Sequence, residues 1–321
     1  MLLSIIIPVY NIEKYIDECL SSLVEQCDDN IEIIVIDDGC TDNSYKYISN
    51  YTKLKNTRIR YYRKNNGGLS SARNYGLQYA EGEYVWFFDG DDYIEKNAMS
   101  DIVEKLKGNM DLLVINYFEA YDDVKDNMDF GQSRFLTNEE YIVMPPCAWN
   151  KIIKRDILIK NEILFPEGIW YEDLATTGRY VLYTKEIYYF SRPIYGYRQR
   201  ANSIMNQPQY NPKMMDIMAS IININKYLSD SPYIEALEYI SALNLLYTFP
   251  LRFSGFKKYE NIKKCTNLYR ELYTNPKGNK YIKNKSLFFR LVVSLSYNNM
   301  FMALRPLNKI KQLKDRSKLK N

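Results

Sequence analysis

The chain has 321 residues, 46% of them hydrophobic, and a net charge of +4, so it can bury a substantial core and reads as one large domain with an appendage or two modest domains. It contains no histidine, which removes imidazole as general base or metal ligand and with it Ser-His-Asp, Cys-His and ordinary zinc-hydrolase chemistry. Acid–base work must rest on carboxylates. Cys19, Cys27, Cys40, Cys147 and Cys265 are scattered, form no C-x-x-C pair and fit a reducing compartment. The opening MLLSIIIPVY has no basic leader and is interrupted by Pro8, so neither a signal peptide nor a spanning helix is expected and a cytoplasmic location is.

Over the first 120 residues apolar runs alternate with amphipathic stretches, the pattern of strands crossed over by helices and of a mainly parallel, doubly covered sheet. Leu2 to Val9 is the first strand. Asn11 is the expected N-cap of a helix whose apolar face is Ile12, Tyr15, Ile16, Cys19, Leu20, Leu23 and Val24. Ile31 to Ile36 forms a second strand ending at Asp37-Asp38-Gly39, and a weaker helix follows at Tyr45 to Tyr51. Arg58 to Tyr62 reads as a short strand, Asn65 to Gly68 as a turn, and Ser70 to Ala80 as a helix closed by Gly82. The strand Glu83 to Phe88, apolar on both faces, breaks at Asp89-Gly90-Asp91-Asp92. A helix from Asn97 to Gly108 and a strand from Leu112 to Tyr117 complete the unit.

Residues 121–134 turn polar and read as a loop, after which Thr137-Asn138-Glu139-Glu140 has capping-box form and opens a short helix. A helix starting near Tyr171 precedes strand-like runs at Ile187 to Phe190 and Ile194 to Tyr197. Beyond about Pro208 the apolar residues fall at helical spacing only, which predicts domains over 1–208 and 209–321, the first divided at 120. The stretch Leu287 to Leu304 reads as an amphipathic or core helix. Residues 305–321 carry seven Lys or Arg against Asp315 alone, leaving −2 on the remaining chain, so peripheral contact with anionic lipid through this tail is an expectation.

In open α/β sheets ligands bind beyond the carboxyl ends of the strands, and both aspartate clusters occupy that edge. Three carboxylates within four residues repel one another unless a cation or donor offsets them, and hard divalent ions prefer such oxygens. No G-x-G-x-x-G or G-x-x-x-x-G-K-[ST] follows the first strand, which argues against dinucleotide oxidoreductases and P-loop kinases and weakens a sugar nucleotidyltransferase.

Taken in order and spacing, SIIIPVYN (4–11), IIVIDDGCTDNS (33–44), NNGGLSSARNYG (65–76) and GEYVWFFDGDDYI (82–94) resemble family 2 glycosyltransferases. AWNKIIKR (148–155) and FPEGIWYEDLATTGRY (165–180) resemble the acceptor-side half of bacterial polysaccharide members, while the resemblance gives little beyond Pro208. It implies a GT-A fold, Rossmann-like with a mainly parallel sheet covered by helices and here a C-terminal helical region. It also implies inverting transfer of a hexosyl or N-acetylhexosaminyl group from a nucleoside-diphosphate donor, UDP-sugar first, to a hydroxyl of a glycan or lipid-linked glycan in surface polysaccharide or capsule synthesis. Nucleic acid is not an expected partner.

Carried over residue by residue, Pro8, Tyr10 and Asp38 match the nucleobase and ribose pocket, with Asp38 the partner of the base and Asp37 a shaper of the loop. Asp91 and Asp92 match the DxD-type pair, Asp92 as ligand to Mn²⁺ or Mg²⁺ and Asp91 near the ribose or the metal, with Asp89 as outer support. Arg73 matches an arginine near the nucleotide, for which a surface salt bridge is the competing reading. Asp173 matches the base that activates the acceptor hydroxyl and is preferred over Glu172, although acidic residues also favour a helix's first turn for its dipole. Trp149 and Trp170 are candidates to stack on sugars or to pack, and Arg198, Arg200 and Ser203 to close over the diphosphate. A sugar nucleotidyltransferase and a non-catalytic glycan-binding protein stay open as alternatives.

Overall fold

The computed structural model describes residues 1–54, 58–121, 124–200 and 209–318. The chain divides into two compact units: Met1–Tyr141 with Pro146–Gly168 and Glu172–Asn206, and Ile142–Pro145 with Ile169–Tyr171 and Gln207–Asn321. The predicted boundary near Pro208 falls outside the described residues.

The first unit follows the predicted alternation: β1 (Leu3–Val9), α1 (Ile16–Val24), β2 (Ile31–Asp37), α2 (Ser44–Tyr51), β3 (Arg58–Arg63), α3 (Leu69–Leu77), β4 (Tyr84–Phe87), β5 (Tyr93–Ile94), α4 (Ala98–Leu106) and β6 (Leu112–Ala120). After it come β7 (Lys125–Asn127), β8 (Arg134–Leu136), α5 (Asn138–Ile142), β9 (Lys151–Lys154), α6 (Arg155–Lys160), α7 (Glu172–Thr176) and β10 (Ile187–Arg198). One sheet runs β3-β2-β1-β4-β9-β6-β10-β5, with β7 paired to β6 and β8 to β10. Its core pairings are parallel, β1 with β2 and β4, β2 with β3, and β6 with β10. Inside the sheet β9, wedged between β4 and β6, is antiparallel to both, and β5, β7 and β8 also pair antiparallel.

Strands β1, β2 and β4 are buried along their whole length, as apolar runs covered on both faces must be. Glu32 is the polar break in β2, and its buried carboxylate accepts from Ser4 Oγ at 2.6 Å, from Glu81 N at 2.7 Å and from the Arg60 guanidinium. The predicted capping box is present: Glu140 accepts from Thr137 N at 2.8 Å and Thr137 Oγ1 accepts from Glu140 N at 3.2 Å. Asn11 differs from its expected N-cap role. It is left-handed, with φ of 51°, and its Oδ1 accepts from Thr41 N at 2.9 Å, so it joins the β1 and β2 exits while the helix starts only at Ile16. The two predicted strands of 187–197 are one strand, β10, whose register shifts around Pro193, where the missing N–H interrupts the ladder.

Helix α3 approaches the sheet through Gly76, where an added Cβ would lie 2.4 Å from Ile6 Cγ2 and 3.1 Å from Ile36 Cγ1. Alanine is the better helix former by up to ~1 kcal/mol, but overpacking here costs about 1–3 kcal/mol. Gly76→Ala should therefore lower unfolding free energy in urea titration, and an unchanged midpoint would mean that α3 can lift off β1 and β2 freely.

The second unit is helical, with Asp216–Leu228, Ile234–Ala242, Phe249–Gly255, Tyr259–Leu272, Leu287–Tyr297 and Leu304–Lys318 as its longer helices and a π-helical turn at Leu243–Thr248. Among the described residues no helix is long and apolar enough to cross a membrane.

Candidate active site

Beyond the carboxyl ends of β1, β2 and β4 lies a cleft of about 410 Å³. Pro8 and Tyr10 line it at the end of β1, Asp38 at the end of β2, and Asp89, Gly90 and Asp91 at the end of β4, with Arg198 and Arg200 closing the side next to β10. Asn66, Gly68, Leu69, Ala72 and Tyr197 are also among its lining residues. Of the residues named from sequence, Pro8, Tyr10, Asp38, Asp91 and Arg198 are brought together here, and Arg73, Asp92 and Asp173 do not line the cleft. Ser203 lies outside the described residues.

Asp38 is almost completely buried and anchors the 64–68 turn: it accepts from Lys64 Nζ at 2.7 Å, from Gly68 N at 2.7 Å and from Gly67 N at 3.0 Å. Gly67 N also reaches Oδ2 at 3.2 Å, so each oxygen of Asp38 has two donors and its roughly four lone-pair sites are all engaged within the turn. Asp37 shapes the loop, accepting from Cys40 N at 2.7 Å and from the Tyr61 hydroxyl.

The three aspartates after β4 have different surroundings. Asp92 is 1% exposed, and its two oxygens accept from Tyr195 OH at 2.7 Å and Arg198 N at 2.8 Å. Burial, then the neighbouring Asp91 and Asp89 charges, push its carboxyl well above the usual carboxylate range. Asp92 thus fastens β10 to the aspartate turn. Asp92, expected from the sequence to hold the metal, does not line the cleft, and each of its oxygens already accepts one hydrogen bond. The carboxylates facing the cleft are Asp89 and Asp91, and Asp91 pairs with Arg200. Among the described residues no group of three or more acidic or cysteine side chains could by itself hold a metal. A cation here would take one or two hard carboxylate oxygens and fill its shell from a ligand's phosphates or water, the arrangement Mg²⁺-type ions favour.

Arg198 spans the side of the cleft. Its Nε donates to the Asp91 carbonyl at 2.9 Å, its terminal nitrogen pairs with Glu18 at 2.7 Å, and its guanidinium lies 5.3 Å from the Tyr15 ring centroid and 5.2 Å from that of Tyr93.

Arg73, on α3, is 1% exposed and donates to three carboxylates: Asp89 at 2.9 Å, Glu172 at 2.9 Å and Asp173 at 2.6 Å. It is neither a surface salt bridge nor part of the cleft wall, because packing against the sheet draws it inward. It ties the end of β4 to the first turn of α7. Burial raises the carboxyls of Asp89 and Glu172, and the Arg73 charge opposes that rise. Asp173 is held from its other side by the backbone N–H of Ala148 at 2.8 Å. That peptide is steadied in turn by buried Lys151, which donates to the Cys147 carbonyl at 2.8 Å and to Asn150 Oδ1 at 2.7 Å.

Sequence reasoning missed Lys64, Ala148 and Lys151. A signal for Lys64 was its place immediately before the Asn65 turn, while Ala148 acts through its backbone and leaves none. Trp149 is buried, stacks on Tyr195 at 4.5 Å and on Tyr197 at 5.1 Å, and does not line the cleft. Trp170 belongs to the helical unit, where its backbone N–H donates to Asp216 Oδ2 at 3.0 Å.

Residues 4–161 match the description of glycosyl transferase family 2. Glycosyltransferase GlyG of Streptococcus pneumoniae serotype 4 is 32% identical over 223 residues, 64% of this chain and 73% of that protein. The minor teichoic acid biosynthesis protein GgaB of Bacillus subtilis is 31% identical over 240 residues, 71% of this chain but 26% of GgaB. Across the first curated relatives the chain spans between 31% and 73% of the relative's own length. In fold, the crystal structure of S. aureus TarS 1-349 in complex with UDP-GlcNAc superposes with a TM-score of 0.75 at 22% identity, covering 98% of this chain and 92% of that one. With the family's motifs at the strand ends and a relative covered over most of its length, the chain belongs to glycosyl transferase family 2 and is a glycosyltransferase.

Proposed function

We propose that the chain moves a sugar from a UDP-sugar to a hydroxyl of a growing surface glycan with inversion at the anomeric carbon, using Asp173 as general base. The observation that carries this reading is the Arg73 cluster, which fixes Asp89 in the cleft wall and Asp173 at the head of α7 to one guanidinium. Donor-side and acceptor-side carboxylates are thereby held at a set separation, which a single displacement needs. The acceptor oxygen forms its bond to the anomeric carbon as its proton passes to Asp173. The bond from that carbon to the diphosphate breaks, and its electron pair leaves with UDP.

Asp38 accepts from the nucleobase in exchange for its longer, 3.2 Å contact with Gly67 N, Tyr10 and Pro8 flank the base, and Arg198 and Arg200 offset the diphosphate charge. Mn²⁺ or Mg²⁺ fits the oxygen donors of Asp91 and Asp89 and would stabilise charge on the departing diphosphate as a Lewis acid. UDP as carrier is supported by the shared fold with TarS, which binds UDP-GlcNAc, and a surface glycan by the likeness to GgaB. Five unpaired thiols favour a reducing, cytoplasmic setting.

The test is a product assay across a panel of UDP-sugars with Mn²⁺ and glycan acceptors. Free UDP and an extended acceptor are expected. Pyrophosphate release from UTP instead would replace the reading with nucleotidyl transfer. In a thermal-shift version, UDP with Mn²⁺ at about 100 times its dissociation constant contributes about 2.7 kcal/mol, roughly 5 °C in melting temperature. Asp91→Asn should abolish the Mn²⁺-dependent part of that rise. Asp92→Asn should keep it while lowering the melting temperature of the free protein. The opposite pattern would return the metal to Asp92.

A further inference from the structure

From residue 272 onward the chain carries twelve Lys or Arg and one acidic residue, Asp315, a far stronger asymmetry than the tail alone suggests. Part of this charge surrounds a cavity. Within the helical unit a pocket of about 200 Å³ has Lys277, Lys283 and Arg290 among its lining residues, together with Ile282, Val293 and Tyr297, and no carboxylate. All three cations are solvent-exposed, and among the described residues no ion pair engages them.

The pocket's long wall is the helix Leu287–Tyr297, whose buried side is Phe289, Val292, Val293 and Ser296. At about 100° per residue, Leu287 and Leu291 fall on the same side of that helix as Arg290, Ser294 and Asn298, which line the pocket. Leu287 is 74% and Leu291 44% exposed, and Met300 and Met302 follow as exposed side chains of the next turn. Cations around an apolar cavity with bare leucines beside it suit an anion attached to an apolar body. A free polyanion would gain nothing from the leucines.

We propose that this pocket binds the phosphate headgroup of an anionic membrane lipid, with Leu287 and Leu291 entering the acyl boundary, so that the helical unit docks the enzyme on a membrane surface. Headgroup phosphate replaces the missing carboxylates around Lys277, Lys283 and Arg290, and the apolar floor receives the glycerol end of the lipid. Binding is peripheral, since one pocket and two leucines bury far less than a spanning helix. The inference is independent of the donor chemistry proposed above.

The test is co-sedimentation of the full chain with vesicles of phosphatidylcholine alone or mixed in equal proportion with phosphatidylglycerol. Binding is expected to the mixed vesicles and to weaken with salt. Each juxtamembrane cation is worth roughly fivefold in affinity, so Lys283→Gln with Arg290→Gln should cost about 25-fold. Leu287→Ser with Leu291→Ser should weaken binding with the charges intact. Both double variants should keep the circular dichroism spectrum and UDP release with a soluble acceptor. Wild-type protein that ignores the mixed vesicles, or glutamine variants that sediment as wild type does, would overturn the proposal. So would glycerol phosphate or polyphosphate raising the melting temperature through Arg290 while vesicles fail to bind, which would assign the pocket to a soluble anion.

Discussion

Asp173→Asn should reduce turnover by about a thousandfold, within the range general-base removal produces, while UDP-sugar binding stays within a few-fold of wild type. Asp173 has two fixed donors, Arg73 at 2.6 Å and the Ala148 N–H at 2.8 Å, and asparagine keeps an oxygen for one of them. Its amide then faces the other donor, so some loss of local order accompanies the loss of basicity. The two effects separate by measurement. Lost basicity lowers kcat with acceptor saturating, whereas disorder of α7 raises the acceptor KM and lowers the melting temperature. Glu172→Gln is the matched control, because Gln Oε1 can still accept from Arg73 as Glu172 Oε1 does at 2.9 Å. It should retain most activity. Turnover lost in Glu172→Gln and kept in Asp173→Asn would move the base by one residue.

How much of this site was legible in the sequence depends on how local each determinant is. The strands β1, β2 and β4 declare themselves because burial on both faces demands unbroken apolar runs, and the aspartates after them follow as the polar ends. The capping box at Thr137 spans three residues and could be read directly. By contrast, β9 is four residues, KIIK, with lysine at each end, and it is a strand because β4 and β6 leave a slot between them. No periodicity reports a slot.

The different placement of Asp91 and Asp92 was illegible for a similar reason. Adjacent residues after a strand point in different directions, but which one turns inward is decided by Tyr195 and the Arg198 backbone, more than a hundred residues downstream. Arg73 did leave a trace. The buried positions of α3 are Ser70, Ala72, Arg73, Gly76 and Leu77, so the arginine stands on the small-residue side that faces the sheet. An arginine on that side requires buried anions. The sequence could say that partners exist, but not that they are Asp89, Glu172 and Asp173.

Arg73→Met should be the most damaging single substitution for stability, at about 3–5 kcal/mol near neutral pH, the usual cost of breaking a buried ion pair by removing one partner. Methionine fills much of the arginine's volume beside the Phe165 ring, over which the guanidinium lies at 5.0 Å, so the loss is electrostatic more than steric. Three carboxylates would then face one another without a counter-charge, and the pH dependence identifies that cause. In the wild-type protein Glu172 is pushed up to about 7 by burial, with Asp173 adding to the shift and Arg73 opposing it. A carboxyl raised in the folded state holds a proton that the unfolded chain has released, so its contribution is favourable at low pH and is lost as pH rises through the folded value. Without Arg73 the opposing influence is gone and the folded cluster binds protons more tightly still. The stability deficit of Arg73→Met relative to wild type should therefore be larger at pH 8 than at pH 5 in urea titrations. Arg73→Lys should fall between, since one ammonium keeps the charge but lacks the fork that reaches three carboxylates. A deficit that stays constant from pH 5 to pH 8 would mean that packing against Phe165, and not charge, is what Arg73 contributes.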